Sequence, residues 1–254
     1  MGSAFIDKVM SMPHRFFVDS RAVSGNTAVL DGENARHARV LRLTAGERVI
    51  LCDGNSRDYI CSITEVGGES LTLAVEGIET NRAEPAVRIT LFQSLTKSDN
   101  MDYIIQKAVE LGAAEIIPVQ TRYCVSRINA DTQKKTARWR KIAEEAAKQS
   151  GRGVTPIVGG AVSFAEAVKL SAVLDETYMA YERYDGLPLI SEFERSEGDR
   201  VGIFIGPEGG LSAEEAELAA GSGVRLISLG KRILRVETAG IAAIVALMCA
   251  RREM

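Results

Sequence analysis

With 254 residues, 46% hydrophobic and 26% charged, and a formal net charge of −3, the chain can build a sizeable core in one or two domains and is not a polycation. No apolar run reaches the roughly 18 residues of a membrane span; the longest, Ile241 to Ala250, is short and rich in alanine. Two histidines (His14, His37) and four scattered cysteines (Cys52, Cys61, Cys124, Cys249) argue against a His-based zinc site, a Ser-His-Asp triad and a CxxC pair, so no metal is expected and the thiols are read as reduced ones in a cytoplasmic protein.

Residues 1–11 precede Met12 without a basic start, a long apolar stretch or a cleavage site, and are read as a leader with no functional part rather than a signal peptide. Residues 12–81 are predicted to be β-rich. ENARHARVLRL (33–43) reads as a helix carrying Arg36, His37, Arg39 and Arg42. The runs GERVILCDG, SRDYICSITEV and SLTLAVEGI read as strands, punctuated by Asp53-Gly54 and Gly67-Gly68 turns. Short strands at this spacing suggest a small β-barrel, which either docks RNA or is a structural accessory. The polar stretch Glu79 to Pro85 reads as a linker.

From residue 85 the pattern changes to strands alternating with helices. VRITLFQSL is a strand. Ser98 and Asp99 can cap a helix whose apolar positions Met101, Ile104, Ile105, Ala108 and Val109 share one face, with Gly112 ending it. EIIPVQ is the next strand, and 132–149 a helix with Trp139, Ile142, Ala143 and Ala146 inward. Further strands are predicted at Val173–Tyr181, Val201–Ile205 and Val224–Leu229. This α/β alternation implies a mainly parallel sheet covered on both faces. Between Arg122 and Arg152 nine basic residues face three acidic ones, a local excess of six. That excess suits either a solvated helix face or a polyanionic partner.

Two loops carry the chemistry. Gly206-Pro207-Glu208-Gly209-Gly210 follows the strand VGIFI and leads into a helix whose Ser212 and Glu215 make a capping box. Glycines there either satisfy a tight turn or let backbone groups approach a ligand at the carboxyl end of a sheet. The second loop, Leu229 to Ala239, again follows a strand and precedes an apolar helix predicted from Thr238 to Ala250. Glu237 or Thr238 is explicable as an N-cap. Arg235 is harder to account for structurally, although a pairing with Glu237 or Glu208 would do so. No GxxxxGK[ST] loop and no early GxGxxG turn is present, which argues against a P-loop NTPase and a dinucleotide oxidoreductase.

GPEGGLSAEE followed by LGKRILRVETAGIAA resembles the RsmE family of the SPOUT superfamily, bacterial methyltransferases of a uridine N3 in small-subunit (16S) ribosomal RNA. PHRFFV (13–18), HARVLRL (37–43), QSLTKSDNMDYIIQKAVELGAAEIIPV (93–119) and RWRKIAEEAAKQSGR (138–152) extend the resemblance over nearly the whole chain from Met12. Val236 stands where many relatives have threonine. The resemblance implies a PUA-like RNA-binding barrel at 12–81 and a SPOUT methyltransferase domain at 85–254. It further implies a trefoil knot, a homodimer and S-adenosylmethionine as cofactor. The loops around 179–182, 206–210 and 229–239 would then meet as the cofactor pocket. Ile205, Gly206, Pro207, Glu208, Gly209, Leu229, Gly230, Ile233, Leu234, Arg235, Thr238 and Ala239 would bind the cofactor, with Arg235, Glu237 and Glu208 as catalytic residues. RNA would be held by Arg15, Arg36, His37, Arg39, Arg42, Arg122, Arg138, Lys141 and Arg152. Another SPOUT target (ribose 2′-O or tRNA) and a non-catalytic RNA-binding protein are the competing readings.

Overall fold

The computed structural model describes residues 13–186 and 189–254, so the leader assigned to 1–11 lies outside the described residues. The chain forms two compact units. The first takes residues up to Ala83 together with Gly151–Val154; the second takes Glu84–Ser150 and Thr155–Met254.

The first unit contains strands β1 (His14–Phe17), β2 (Val23–Ser24), β3 (Thr27–Leu30), β4 (Arg48–Cys52), β5 (Arg57–Val66) and β6 (Leu71–Thr80), with helix α1 (Gly32–Val40) between β3 and β4. They form one six-stranded sheet in the order β1-β4-β5-β6-β3-β2. All its pairs are antiparallel except β1 with β4. Alternating residues of β3 and of the first half of β6 are buried, as expected for a sheet with one dry face. That face meets α1 through Ala35 and Ala38, around Phe16, Leu30, Leu51, Ile63, Leu71 and Leu73.

A polar clamp also lies inside this unit. Arg15 donates both terminal nitrogens to Asp58, at 2.6 and 2.7 Å. The two side chains are 8% and 10% exposed. Asn81 donates to Asp58 (2.9 Å) and to the carbonyl of Gly151 (2.9 Å). The Gly153 carbonyl accepts from the Ser56 N–H and the Cys52 thiol, both at 3.1 Å. Burial pushes that thiol up to about 11. Arg15 was expected on the RNA surface, but it is committed to Asp58. Arg152, also expected there, is 3% exposed and bonded within the protein.

Burial opposes the charge on Asp58, yet the bonds from Arg15 and Asn81 outweigh it and hold the carboxyl below its ordinary value. Its contribution to stability is therefore present above the unfolded value of about 3.9 and is lost as pH falls through the lower folded value. Asp58→Ala would leave a buried guanidinium unpaired and is expected to cost about 3–5 kcal/mol. Chemical denaturation at pH 7 measures this, and the gap from wild type should narrow below pH 4.

The second unit has β7 (Arg88–Ser94), α2 (Ser98–Glu110), β8 (Glu115–Gln120), α3 (Ala130–Gln149), β9 (Ile157–Val158), β10 (Val162–Ser163), α4 (Phe164–Ser171), β11 (Glu176–Ala180), α5 (Leu189–Phe193), β12 (Arg200–Ile205), α6 (Ala213–Gly221), β13 (Arg225–Ile227) and α7 (Val236–Ala250). Its seven-stranded sheet runs β10-β8-β7-β12-β11-β13, with β9 also on β8. Every pair in it is parallel. β7, β8 and β12 are buried almost end to end, because helices cover both faces. Phe92 and Phe204, register partners on β7 and β12, stack at 4.3 Å, and Phe164 of α4 meets Phe204 edge-on at 5.7 Å.

The predicted face of α2 is buried throughout, with none of its five residues more than 1% exposed. The helix begins at Ser98 with Lys97 as its N-cap, one residue earlier than a Ser98 cap would give. β11 is shorter than the predicted 173–181 strand, since Asp175 turns away to bind the Arg200 backbone and guanidinium, each at 2.8 Å. α7 packs on α2, α5 and β12. No helix among the described residues is long and apolar enough to cross a membrane.

Candidate active site

Three neighbouring parallel strands, β12, β11 and β13, end at one cleft of about 560 Å³. Ala180, Ile205 and Ser228 stand at or just past those ends, and the loops that follow them build the walls. Ligands of open α/β sheets bind at this edge because backbone groups there are free of the ladder. The volume lies within the usual range of about 300–1,000 Å³ for a small-molecule site.

The first wall is the turn 206–210. It is closed by the Gly210 N–H donating to the Pro207 carbonyl at 2.9 Å. Gly210 has φ +72°, and a Cβ there would run into the Glu182 carboxylate. The turn then enters α6 through the expected capping box: Glu215 N–H donates to Ser212 Oγ at 3.2 Å, and Ser212 N–H to Glu215 Oε2 at 2.9 Å. A side chain at 210 costs about 1–2 kcal/mol in the left-handed region and must displace Glu182. Gly210→Val is therefore expected to weaken binding of the ligand in this cleft by roughly tenfold or more, read by titration calorimetry with the cofactor that the resemblance implies.

The second wall is the loop from Ser228 to Arg235 and the first turn of α7. Here the structure revises the sequence reading, because the helix starts at Val236 with Arg235 as its N-cap. Neither Glu237 nor Thr238 caps it. Arg235 sits in extended conformation (φ −64°, ψ 155°) and makes no side-chain cap bond. An arginine is a poor choice there: it offers no oxygen to the free N–H groups, and its charge opposes the positive end of the helix. Arg235, Glu208 and Glu237 all line the cleft, and none of their side chains makes a hydrogen bond or salt bridge among the described residues. The pairing that could have explained Arg235 structurally is absent among them.

Ile205, Gly206, Pro207, Glu208, Gly209, Leu229, Gly230, Ile233, Leu234, Arg235 and Ala239 all line the cleft. Thr238 does not; it is exposed on the first turn of α7. Ile233 is 95% exposed, so it can cover a ligand but has nothing of its own to pack on. Asn100, from the first turn of α2, was missed. No motif marks a single amide in a helix chosen for its apolar face. Behind the wall lies Gln93, the register partner of Ile205. It is fully buried and its Oε1 has no hydrogen-bond partner.

The expected RNA-facing residues are spread over both units. In the first, Arg36, Arg39 and Arg42 are exposed, while half-buried His37 meets Phe16 edge-on at 5.8 Å. Arg36 and Arg39 border a cleft of about 540 Å³ with Asp31 and Glu69. In the second, Arg122, Arg138 and Lys141 are exposed, but Arg122 pairs with Glu214 (2.9 Å) and Arg138 with Asp102. Lys148 is also held, by Glu144 and Glu145 at 2.8 and 2.9 Å. The free positive surface is thus smaller than the charge count of 122–152 implies.

A cleft of this kind, with glycine turns at strand ends and an unpaired arginine and two carboxylates at its lip, suits a group-transfer enzyme that positions a charged small molecule. Residues 83–248 match the family model of an RNA methyltransferase domain, and residues 30–76 that of an RNA methyltransferase PUA domain. The class is therefore an RNA methyltransferase. The chain is 32% identical to the ribosomal RNA small subunit methyltransferase E of Bacillus subtilis, over 92% of this chain and 95% of the relative. It is 31% identical to the Mycobacterium bovis protein of that name, over 90% and 88%. It superposes on the Neisseria gonorrhoeae protein of that name, solved bound to S-adenosylmethionine, with TM-score 0.81 and 31% identity over 93% and 97% of the two chains. The chain belongs to the ribosomal RNA small subunit methyltransferase E family, and S-adenosylmethionine is its cofactor.

Proposed function

We propose that this protein transfers the methyl group of S-adenosylmethionine to N3 of a uridine in small-subunit ribosomal RNA. The observation that carries the reading is the cleft at three strand ends with Arg235, Glu208 and Glu237 unpaired at its lip. Its residues fit the cofactor. Ile205, Leu229, Leu234 and Val236 offer apolar surface to an adenosyl group, the turns at 206–210 and 229–230 offer backbone donors and acceptors, and Glu182, Glu208 and Glu237 complement positive charge. When bound, the cofactor supplies an electrophilic methyl on a sulfonium.

The remaining work falls to the chain's own groups. Positioning N3 against the methyl supplies much of the rate. The N3 proton must leave, and arginine cannot take it because its guanidinium stays protonated. Arg235 instead stabilises the negative charge that grows on the uracil carbonyl oxygens. The free N–H groups at the start of α7 act in the same direction. Glu237 or Glu208, directly or through a water, accepts the proton. Glu237 is the better placed, being half-buried on the same turn as Arg235, whereas Glu208 is exposed. N3 lies on the pairing edge, so a paired target must be opened first.

The same reading includes closure of the first unit's sheet as a PUA-like barrel that grips RNA with Arg36, Arg39 and Arg42. It also includes a trefoil knot around the cleft loops, a homodimer through the second unit, small-subunit particles as substrate, and a cytoplasmic location. Half-buried Ile241, Ala242, Val245 and Ala246 on α7 support the dimer, as an apolar face another helix could cover. Incubation with small-subunit particles and labelled cofactor, followed by digestion to nucleosides and mass spectrometry, tests the reaction. Label in 3-methyluridine is expected; label on a ribose would replace the reading with another SPOUT reaction.

A further inference from the structure

The loop after β8, residues 121–128, lies against the glycine turn of the cleft. It carries two arginines and no acid. Cys124 is buried and fastens it: the Thr121 N–H and hydroxyl meet its Sγ at 3.4 and 3.1 Å. Ser126 Oγ donates to the Thr96 carbonyl at 2.9 Å, and the Ile128 N–H to Gln120 Oε1 at 2.6 Å. Arg122 is tied to the start of α6 by its N–H to Glu215 Oε1 (2.8 Å) and its guanidinium to Glu214 (2.9 Å).

On this fastened loop the Tyr123 side chain remains 46% exposed and Val125 74%. Tyr123 lies over Gly209: a Cβ at 209 would come within 2.9 Å of the Tyr123 Cβ. The Arg122 guanidinium stands 5.8 Å from the ring centroid, within cation–π range. The loop thus presents a rigid aromatic ring, backed by one arginine and followed by another, Arg127, next to the turn that lines the cleft. An exposed ring held this way costs little entropy to use, and unpaired RNA bases are recognised by stacking on aromatic side chains and arginine planes.

We propose that Tyr123 is a substrate-positioning residue that stacks on an unpaired base of the RNA beside the target uridine, holding the opened strand at the cleft. The inference rests on the reading of this cleft as an RNA methyltransferase site. Arg127, exposed and without an ion pair among the described residues, meets a flanking phosphate, and that charge complementarity favours RNA over an apolar protein segment as the occupant.

The test measures binding of small-subunit rRNA and methyl transfer to it by wild type, Tyr123→Ala and Tyr123→Phe, together with cofactor affinity and oligomeric mass. Tyr123→Ala should raise KM and the Kd for rRNA by roughly tenfold, the size of one lost stack. Affinity for S-adenosylmethionine and kcat at saturating RNA should change by less than twofold, and Tyr123→Phe should restore the RNA parameters. Unchanged RNA binding in Tyr123→Ala overturns the proposal, as does a fall in oligomeric mass, which would make the ring a contact between copies. If wild type binds rRNA without methylating it, the reaction assigned above fails while the binding comparison still decides the role of Tyr123. If wild type does not bind rRNA, both fall.

Discussion

Arg235→Ala is expected to lower kcat by about 10²–10³-fold while leaving affinity for S-adenosylmethionine within a few-fold of wild type. The magnitude is that of removing one preorganised donor aimed at charge that develops only in the transition state. The selectivity for kcat follows from the structure. The Arg235 side chain has no partner to lose among the described residues, so its removal strands no buried charge. It makes no cap bond, and taking a cation from a helix N-terminus should not weaken α7. Thermal unfolding of the variant should match or slightly exceed wild type, separating lost catalysis from lost fold. Arg235→Lys keeps the charge but not the planar fork and should recover only part of the rate. Near-normal turnover by Arg235→Ala would remove the residue from the mechanism.

Glu237→Gln is the second large effect. If its carboxylate accepts the N3 proton, kcat should fall by about 10²–10⁴-fold. The residual rate should climb with pH, as hydroxide takes over the proton. Glu208→Gln, on the exposed side of the same cleft, should act mainly on cofactor affinity. The reverse pattern would transfer the role to Glu208. Equal, small losses in both would leave proton removal to solvent. Single-turnover rates across pH 6–9 for both variants distinguish these outcomes.

Much of this site was readable in the sequence because its chemistry is local. Two glycine-bearing loops each follow an apolar strand, and eleven of the twelve residues that the resemblance assigns to the cofactor line one cleft. The α2 face was legible from its period, and β8 matched residue for residue, because the apolar run IIPV inside EIIPVQ suits a strand buried on both sides. What escaped was long-range or set by neighbours. The order β8-β7-β12-β11-β13 brings three strand ends together, and no local pattern encodes it. α4 passed unnoticed, although Ser163 followed three residues later by Glu166 is a start signal, and the Glu166 N–H does donate to Ser163 Oγ at 3.3 Å. Return of Gly151–Val154 to the first unit depends on Asn81, 70 positions from Gly151. Arg15 looks like an exposed arginine until Asp58, 43 positions on, is seen beside it. Tyr123 needs Gly209 next to it before it means anything. α7 begins two residues before the predicted Thr238 because Arg235, which offers no capping oxygen, stands at its N-cap.

The most direct test of the central claim is reverse-transcription mapping of small-subunit rRNA from a strain lacking the gene, complemented with wild type or Arg235→Ala. Methylated N3 blocks pairing and stops the polymerase. One stop should vanish in the deletion strain, return with wild type, and stay absent with Arg235→Ala. A stop pattern unchanged by deletion, or restored by the arginine variant, would contradict the account.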